Sequence, residues 1–299
     1  MSMARNVLLV FLICFICSCL GTHIQKTNGI DFQQPNLPAG YNKKHKWIGE
    51  KIIFLTRYES VQEYGYQNYS YRENSFYHPS YKKLVGKVGE IIGAKEGYPT
   101  KFILKLNDSN KILYTTAYGN SLNDIAFLSE MDNAKKFIGK TVWNKRHPTD
   151  ASADRHGYIR CQRTINKFEK LTITNVKWGY GEHSPLRFFF RTEDGVEGYW
   201  DGSFSRINDS SNHLLQPFEE NWYFEDPHAI YPDWPKKTWD AIEAGNIFIG
   251  MTDEQASLSW GKPNKINKTV GSWGVHEQWI YNNQYLYFEN GRLESFQSY

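Results

Sequence analysis

The spacing of hydrophobic and polar positions divides the chain into three parts. Val7 to Ile16 form an unbroken apolar run that polar sequence follows. Between residues 45 and 215, short apolar or aromatic runs lie between charged positions, a pattern that predicts β-strands. From residue 237 onward, the spacing indicates helix first and then strands separated by turn residues. The pattern therefore predicts an α+β fold that is mainly β.

Two segments of the β-rich part occur twice. Residues 47–52 (WIGEKI) match residues 137–142 (FIGKTV), and residues 99–105 (PTKFILK) match residues 185–191 (PLRFFFR). The copies are 90 residues apart in the first pair and 86 in the second, so they differ in the length of a loop. Self-similarity of this kind indicates two copies of one supersecondary unit.

The repeat predicts two tandem β modules, residues 45–135 and residues 136–215. Each module has a short first strand, a long irregular excursion, and then three or four strands joined by tight turns. This order resembles the bacterial SH3-like barrel. The predicted fold class for this part is therefore two small SH3-like β-barrel modules.

The excursion of the first module, residues 57–81, is rich in tyrosine. Tyrosines on a loop can stack on sugar rings or hold a peptide with little loss of conformational entropy. They can equally pack on the barrel, and the sequence leaves both alternatives open. The candidate binding surface comprises Tyr64, Tyr66, Tyr69, Tyr71 and Tyr77.

The excursion of the second module, residues 145–160, is polar. His147, Asp150, Asp154 and His156 could gather around a metal ion, but their spacing matches no ligand pattern. Solvated charges on a loop explain these residues equally well. No metal site is predicted.

Residues 216–236 form a strap of proline and aromatic residues between the second module and the C-terminal part. This segment is too apolar for a free linker. We expect it to lie extended across one domain and to fix the position of the next.

Helix start and stop signals are clear near the C-terminus. Pro235 suits a helix start, and Gly245 suits a helix end. Thr252 and Gln255 have the spacing of a capping box for a second helix, which should end at Gly261. Turn residues then separate strands predicted over 265–269, 277–281 and 285–289, with a final strand over 292–296.

The C-terminal part, residues 237–299, resembles the SmpA/OmlA (BamE-like) family of bacterial lipoprotein domains. The segments that carry the resemblance are Ile249–Thr252 with Gln255, Gly261–Pro263, Gln278–Tyr281, Leu286–Phe288 and Asn290–Leu293. The resemblance implies an ααβββ domain that binds proteins through its sheet and neighbouring loops, without catalysis. The two modules ahead of this domain depart from the small family members.

Composition and motifs exclude several functions. The chain has a formal net charge of +3, too little for the basic surface of a nucleic-acid-binding protein. It contains no HExxH or GxSxG motif and no phosphate-binding glycine loop. Cys161, the only cysteine outside the N-terminal segment, could be a reactive thiol or a core residue. We predict no enzyme activity, no cofactor and no nucleic-acid partner.

The N-terminal apolar run is shorter than the about 20 residues that span a bilayer, which favours a cleaved export signal. Ile16-Cys17-Ser18-Cys19 resembles a lipobox, which implies lipid attachment at Cys19. An ordinary signal peptide that contains cysteines is the alternative. The predicted divisions are a signal over residues 1–18 and a tether over residues 19–44. Residues 20–26 contain no acidic residue, which favours the periplasmic face.

The sequence thus predicts a non-enzymatic lipoprotein of the bacterial outer membrane, anchored by its N-terminal lipid and facing the periplasm. Its expected role is that of a scaffold that binds other envelope proteins, in outer-membrane assembly or maintenance. The alternative is binding of a carbohydrate or peptidoglycan by the tyrosine-rich loop, residues 57–81.

Overall fold

The computed structural model describes residues 37–119, 121–147, 159–181, 185–205, 207 and 218–298. The predicted lipidation site, Cys19, lies outside these residues, as do Asp150, Asp154 and His156 of the second excursion. Leu37–Tyr299 belong to one compact unit. Strands hold 41% of the described residues and helices 17%. The protein is therefore α+β and mainly β, as the pattern predicted.

The first sheet has six strands: β1 (Lys51–Phe54), β2 (Tyr69–Ser70), β3 (Val88–Lys95), β4 (Thr100–Leu106), β5 (Ile112–Ala117) and β6 (Ile125–Phe127). It is antiparallel, with the strand order β2-β5-β4-β3-β1-β6. A short helix, α1 (Tyr81–Leu84), precedes β3, and α2 (Leu128–Lys135) follows β6.

The second sheet repeats this arrangement. Its strands are β7 (Thr141–Asn144), β8 (Ile159–Cys161), β9 (Lys170–Trp178), β10 (Leu186–Thr192), β11 (Glu197–Gly202) and β12 (Trp222–Tyr223). Their order is β8-β11-β10-β9-β7-β12. In both sheets the strand from the excursion (β2 or β8) lies at one edge and pairs with the last long strand (β5 or β11). The strand at the other edge (β6 or β12) pairs with the short first strand (β1 or β7).

The matched sequence segments form the same turn in both sheets. The amide of Gly49 donates to the carbonyl of Ile91, and the amide of Gly139 donates to the carbonyl of Ile173, each at 2.8 Å. Both glycines have positive φ, +89° and +79°. An L-residue adopts this conformation only at a cost, so the repeated glycine serves the repeated turn.

Each sheet encloses its own apolar core. The first contains Phe54 and Phe102, and the second contains Phe188 and Trp200, all almost fully buried. Alternate residues of the long strands point inward, as in β9, where Leu171 and Ile173 are buried between exposed threonines. Cys161 packs against the second core in a half-buried position.

The two sheets are joined by main-chain hydrogen bonds and by a shared helix. Thr56 and Tyr180 form a parallel bridge. The buried carboxylate of Glu130 on α2 accepts hydrogen bonds from Ser203 Oγ at 3.0 Å and from the amide of Phe204 at 2.8 Å. Because α2 also contacts strands of both sheets, it forms part of the interface between the two modules.

Both predicted connecting segments contribute to the fold. Within the described end of the tether, Tyr41 is buried and the amide of Asn42 donates to the carbonyl of Ala94 at 2.8 Å. The first sheet therefore begins before residue 45. Phe218 and Trp222 of the strap lie in the second core, and the strap forms β12 and a short helix, α3 (Pro227–Ile230). The strap is therefore not extended throughout.

The C-terminal part has two helices, α4 (Lys236–Glu243) and α5 (Asp253–Trp260), followed by a four-stranded antiparallel meander. The capping box of Thr252 and Gln255 is formed, as predicted. The four predicted strands are also confirmed. The resemblance implies a sheet of three strands, whereas the observed sheet has four. The strands are β13 (Lys265–Gly271), β14 (Gly274–Tyr281), β15 (Gln284–Glu289) and β16 (Arg292–Ser298).

The inner face of this third sheet packs on both helices. Trp279 and Leu286 meet Trp239 of α4 and Ala256 of α5 in a third core. Phe168, from the loop before β9, is buried in the same core although it belongs to the second module. Its φ of +60° is unusual for a bulky residue, and its ring lies 5.8 Å from the ring of Trp239 on α4.

Candidate functional surfaces

Two tyrosines of the predicted binding surface lie in the core instead. Tyr66 and Tyr69 are 0% and 1% exposed. Their hydroxyls donate to the carbonyls of Leu55 and Asn123, each at 2.6 Å. The prediction that these two rings form a binding surface is wrong, because each ring fills the core while its hydroxyl finds a main-chain acceptor.

The other three tyrosines of that set remain at the surface, on different segments. Tyr64, at the end of a 3-10 turn, is 52% exposed, and Tyr71, just after β2, is 37% exposed. Tyr77, in the loop before α1, is 88% exposed. The excursion is therefore partly structural and partly exposed.

A polar cavity of 220 Å³ lies between this excursion and the edge of the first sheet. Asn68, Glu73 and Asn74 of the excursion line it on one side, with Lys101 of β4 and Thr115 of β5 on the other. Pairing of Tyr69 with Thr115 across β2 and β5 sets the excursion against the sheet. The cavity therefore has a wall of regular secondary structure.

A charged network holds the loop side of the cavity. Lys101 Nζ donates to Glu73 Oε1 at 2.9 Å and to Asn74 Oδ1 at 3.0 Å. The hydrogen bond from Lys101 lowers the pKa of the Glu73 carboxyl, so this group is ionised at neutral pH. The two charges of this ion pair therefore neutralise each other within the cavity lining.

Two buried hydroxyls lie in the cavity wall: that of Tyr41, beside the carboxylate of Glu73, and that of Thr115, beside the hydroxyl of Tyr69. Tyr41 is 9% exposed and Thr115 is 5% exposed. Burial raises the pKa of Tyr41, and the negative charge of Glu73 raises it further. Both hydroxyls are therefore neutral and able to donate or accept a hydrogen bond.

A second candidate surface is the outer face of the third sheet. None of the outward-facing residues of β14 and β15 is buried. A chain of hydrogen bonds crosses the strands: Asn267 Nδ2 donates to Gln278 Oε1 at 2.9 Å, and Gln278 Nε2 donates to the hydroxyl of Tyr287 at 3.3 Å. Beside it, His276 Nδ1 donates to Glu289 Oε1 at 2.6 Å. This face is polar, aromatic and open.

The edge of this sheet is also accessible. Every residue of β13 except Gly271 is exposed, and the exposed fractions of Ile266 and Val270 are 46% and 69%. Trp273, in the turn to β14, is 59% exposed. An exposed edge strand with apolar side chains favours pairing with another chain.

A third polar cluster lies where the second module meets α5. Lys167 is 7% exposed, and its Nζ atom lies 3.5 Å from His147 Nε2. Burial, with a smaller contribution from Lys145, lowers the pKa of Lys167 to about 8. The contacts of Lys167 with the end of α5 give this cluster a structural role.

Within the described ranges, no group of three or more His, Cys, Asp or Glu side chains could hold a metal ion. Of the four residues weighed for a metal, only His147 is described, and it contacts the carbonyl of Ser259 at 2.8 Å. In the same part of the chain, no helix is long and apolar enough to cross a bilayer.

Sequence reasoning missed the residues that line the polar cavity. Lys101 and Thr115 lie on strands whose alternation predicts only which face is buried, and Asn68 is an ordinary loop residue in the sequence. The available signal was the density of amide and hydroxyl residues between the tyrosines, over residues 67–75.

Comparison of the chain with family models, with curated proteins and with solved structures finds no match. Function is therefore inferred from the residues of this chain. The features to be explained are the polar cavity of the first sheet and the open face of the third.

Proposed function

We propose that the protein is a lipid-anchored, non-enzymatic scaffold of the bacterial outer membrane that binds other envelope proteins. The observation that carries this proposal is the open outer face of the third sheet, where Tyr287 and Gln278 lie half-buried in a hydrogen-bonded row. Tyrosine and amide side chains give large contact area and adaptable hydrogen bonding, which suits protein recognition.

We also propose that residues 237–299 form a BamE-like domain and that the two preceding sheets are SH3-like modules. The order of two helices followed by an antiparallel sheet supports the first assignment. The short first strand, the long excursion and the curled meander, repeated in the same strand order, support the second. Such domains supply binding surfaces, which agrees with a scaffold.

The anchoring part of the proposal is supported by the sequence around Cys19. Attached acyl chains stabilise membrane binding by about 0.8 kcal/mol per buried methylene, and two or more chains give stable anchoring. The lack of acidic residues over 20–26 favours the periplasmic face of the outer membrane.

Site-specific photocross-linking in the native membrane tests the scaffold role. A photoreactive amino acid replaces Tyr287 on the open face, and a matched control replaces Tyr98, a ring 87% exposed on the hairpin turn of the first sheet. We expect a discrete adduct with an envelope protein from position 287 and none from position 98. The same adducts from both positions, or none from position 287, would overturn the proposal.

A second candidate function is favoured by the polar cavity. Carbohydrate or peptidoglycan binding by the tyrosine-rich loop would use the wall formed by Asn68, Glu73 and Asn74, together with Thr115. This function is compatible with a scaffold, because the cavity belongs to the first sheet and the open face to the third.

A further inference from the structure

We infer that the cavity between the tyrosine-rich excursion and β5 binds one neutral sugar residue of a glycan. The inference deepens the second candidate function and does not depend on protein binding by the third sheet. Three properties of the cavity carry it: its buried hydroxyls, its neutrality and its size.

The buried hydroxyls of the lining favour a polar occupant. A buried polar group without a partner costs about 1–3 kcal/mol, so such groups are nearly always hydrogen-bonded. Tyr41 and Thr115 are both buried, and both line this cavity. Each has one polar side-chain neighbour, Glu73 or Tyr69, and keeps the capacity for a further hydrogen bond, which a ligand hydroxyl would use.

The charge of the lining favours a neutral ligand. The one cation, Lys101, is paired with the one carboxylate, Glu73, at 2.9 Å. The other groups of the lining are hydroxyls and amides, including Ser70, Asn68 and Asn74. The carboxylate of Glu73 would repel a phosphate or a carboxylate ligand. A neutral polyol can form hydrogen bonds with the hydroxyl and amide groups of the lining without such repulsion.

The size of the cavity sets the length of the occupant. Its volume of 220 Å³ lies below the roughly 300–1,000 Å³ of pockets that hold drug-sized ligands. It therefore suits one ring of a glycan, with the neighbouring rings outside. A peptide would require apolar side-chain pockets, which this lining does not offer.

Exposed aromatic rings that follow the lining in the chain would hold the neighbouring sugar rings. Phe76 and Tyr77 directly follow Ser75 of the cavity lining and are 93% and 88% exposed. Aromatic rings present a flat apolar face on which the C–H side of a sugar can stack. The exposed end of the excursion thus has a role beside the cavity.

Binding of simple glycosides to the full-length protein tests the inference. The protein is held in a detergent without a sugar headgroup, because maltoside or glucoside headgroups would compete. Methyl glycosides of glucose, galactose and N-acetylglucosamine are titrated and followed by ligand-observed NMR. We expect saturable binding of at least one glycoside, with a Kd of about 1 mM, as suits a single ring.

Two conservative variants separate binding from folding. Tyr41→Phe and Thr115→Val remove the two hydroxyls and retain shape, so the melting temperature should fall by no more than a few degrees. Each should weaken glycoside binding about two- to tenfold, as expected for one lost hydrogen bond. As a matched control, Tyr281→Phe removes a hydroxyl that donates to the Gly261 carbonyl at 2.8 Å and should leave binding unchanged.

A second matched pair of variants tests the exposed aromatic rings beside the cavity. Tyr77→Ala should weaken binding of a glycan of three or more residues more than that of a single glycoside. Tyr98→Ala, equally exposed but outside the cavity lining, should affect neither.

Three results would overturn the inference: no saturable binding of any glycoside at about 10 mM, equal binding by wild type and both hydroxyl variants, or saturation by glycylglycine in place of the sugars. Adducts from Tyr287 that persist in Thr115→Val would show that loss of the sugar site leaves the scaffold function intact.

Discussion

The Nζ atom of Lys167 donates a hydrogen bond to the main-chain carbonyl of Ser259 at 3.0 Å. Ser259 lies in the last turn of α5, where carbonyls lack partners within the helix and the helix dipole is negative. A buried ammonium group of the second module therefore completes the end of a helix in the C-terminal part. Within the described residues, no carboxylate forms an ion pair with Lys167.

This contact predicts a pH-dependent stability. The pKa of Lys167 is lowered from 10.5 to about 8, chiefly by burial, so between these values the unfolded chain holds a proton that the folded chain releases. Stability therefore rises as pH increases through this window. Urea unfolding should show this rise in wild type and a smaller one in Lys167→Met. Lys237→Met, at an exposed lysine of α4, should keep it. Equal slopes in all three proteins would contradict the prediction.

The tyrosines of the excursion should differ sharply in their effect on stability. Tyr66→Ala removes a fully buried ring and should lower the free energy of unfolding by about 3–5 kcal/mol. Tyr64→Ala, at a ring that is 52% exposed, should change it by about 0.5 kcal/mol or less. Urea unfolding of both variants measures the difference, and similar losses would contradict the assigned burial.

The repeated turn predicts equal effects at two distant positions. Gly49→Ala and Gly139→Ala each place a Cβ at positive φ, where it meets no other atom within 4 Å. The cost is therefore backbone strain alone, about 1–2 kcal/mol at each position. Thermal unfolding should show similar losses for the two single variants and an additive loss for the double variant. A marked loss at only one position would show that the turns are not equivalent.

Lipid attachment at Cys19 is tested in the cell. Cys19→Ala should abolish incorporation of labelled palmitate and leave the precursor unprocessed, because the thiol is the attachment atom. Cys17→Ala changes a neighbouring cysteine and should preserve labelling. Normal labelling of Cys19→Ala, with a processed N-terminus, would indicate an ordinary signal peptide.

Local signals were predicted from the sequence more successfully than burial. The capping box of Thr252 and Gln255 formed as predicted, because it depends on residues three positions apart. The turn at Asn290 and Gly291, with φ of +51° and +76°, depends likewise on adjacent residues. Such features need no knowledge of the rest of the chain.

The burial of Tyr69 depends on a distant partner instead. It pairs with Thr115 in a strand of only two residues, too short to show alternation. The polar cavity was unpredictable for the same reason, since its lining combines Tyr41, an excursion and two strands. The end of the tether was also misassigned, because its one bridge, between Asn42 and Ala94, gives no periodic pattern.

The position of Phe168 has a consequence for how this chain can be divided. Its ring, from the loop before β9, fills part of the core beneath the third sheet, as do Tyr223 and Trp234 of the strap. Cutting the chain at residue 237 would leave that core open on one side and expose apolar surface to water. The C-terminal part therefore borrows part of its core from the segments that precede it, and a fragment that begins at residue 237 should be less stable than the same residues in the whole chain.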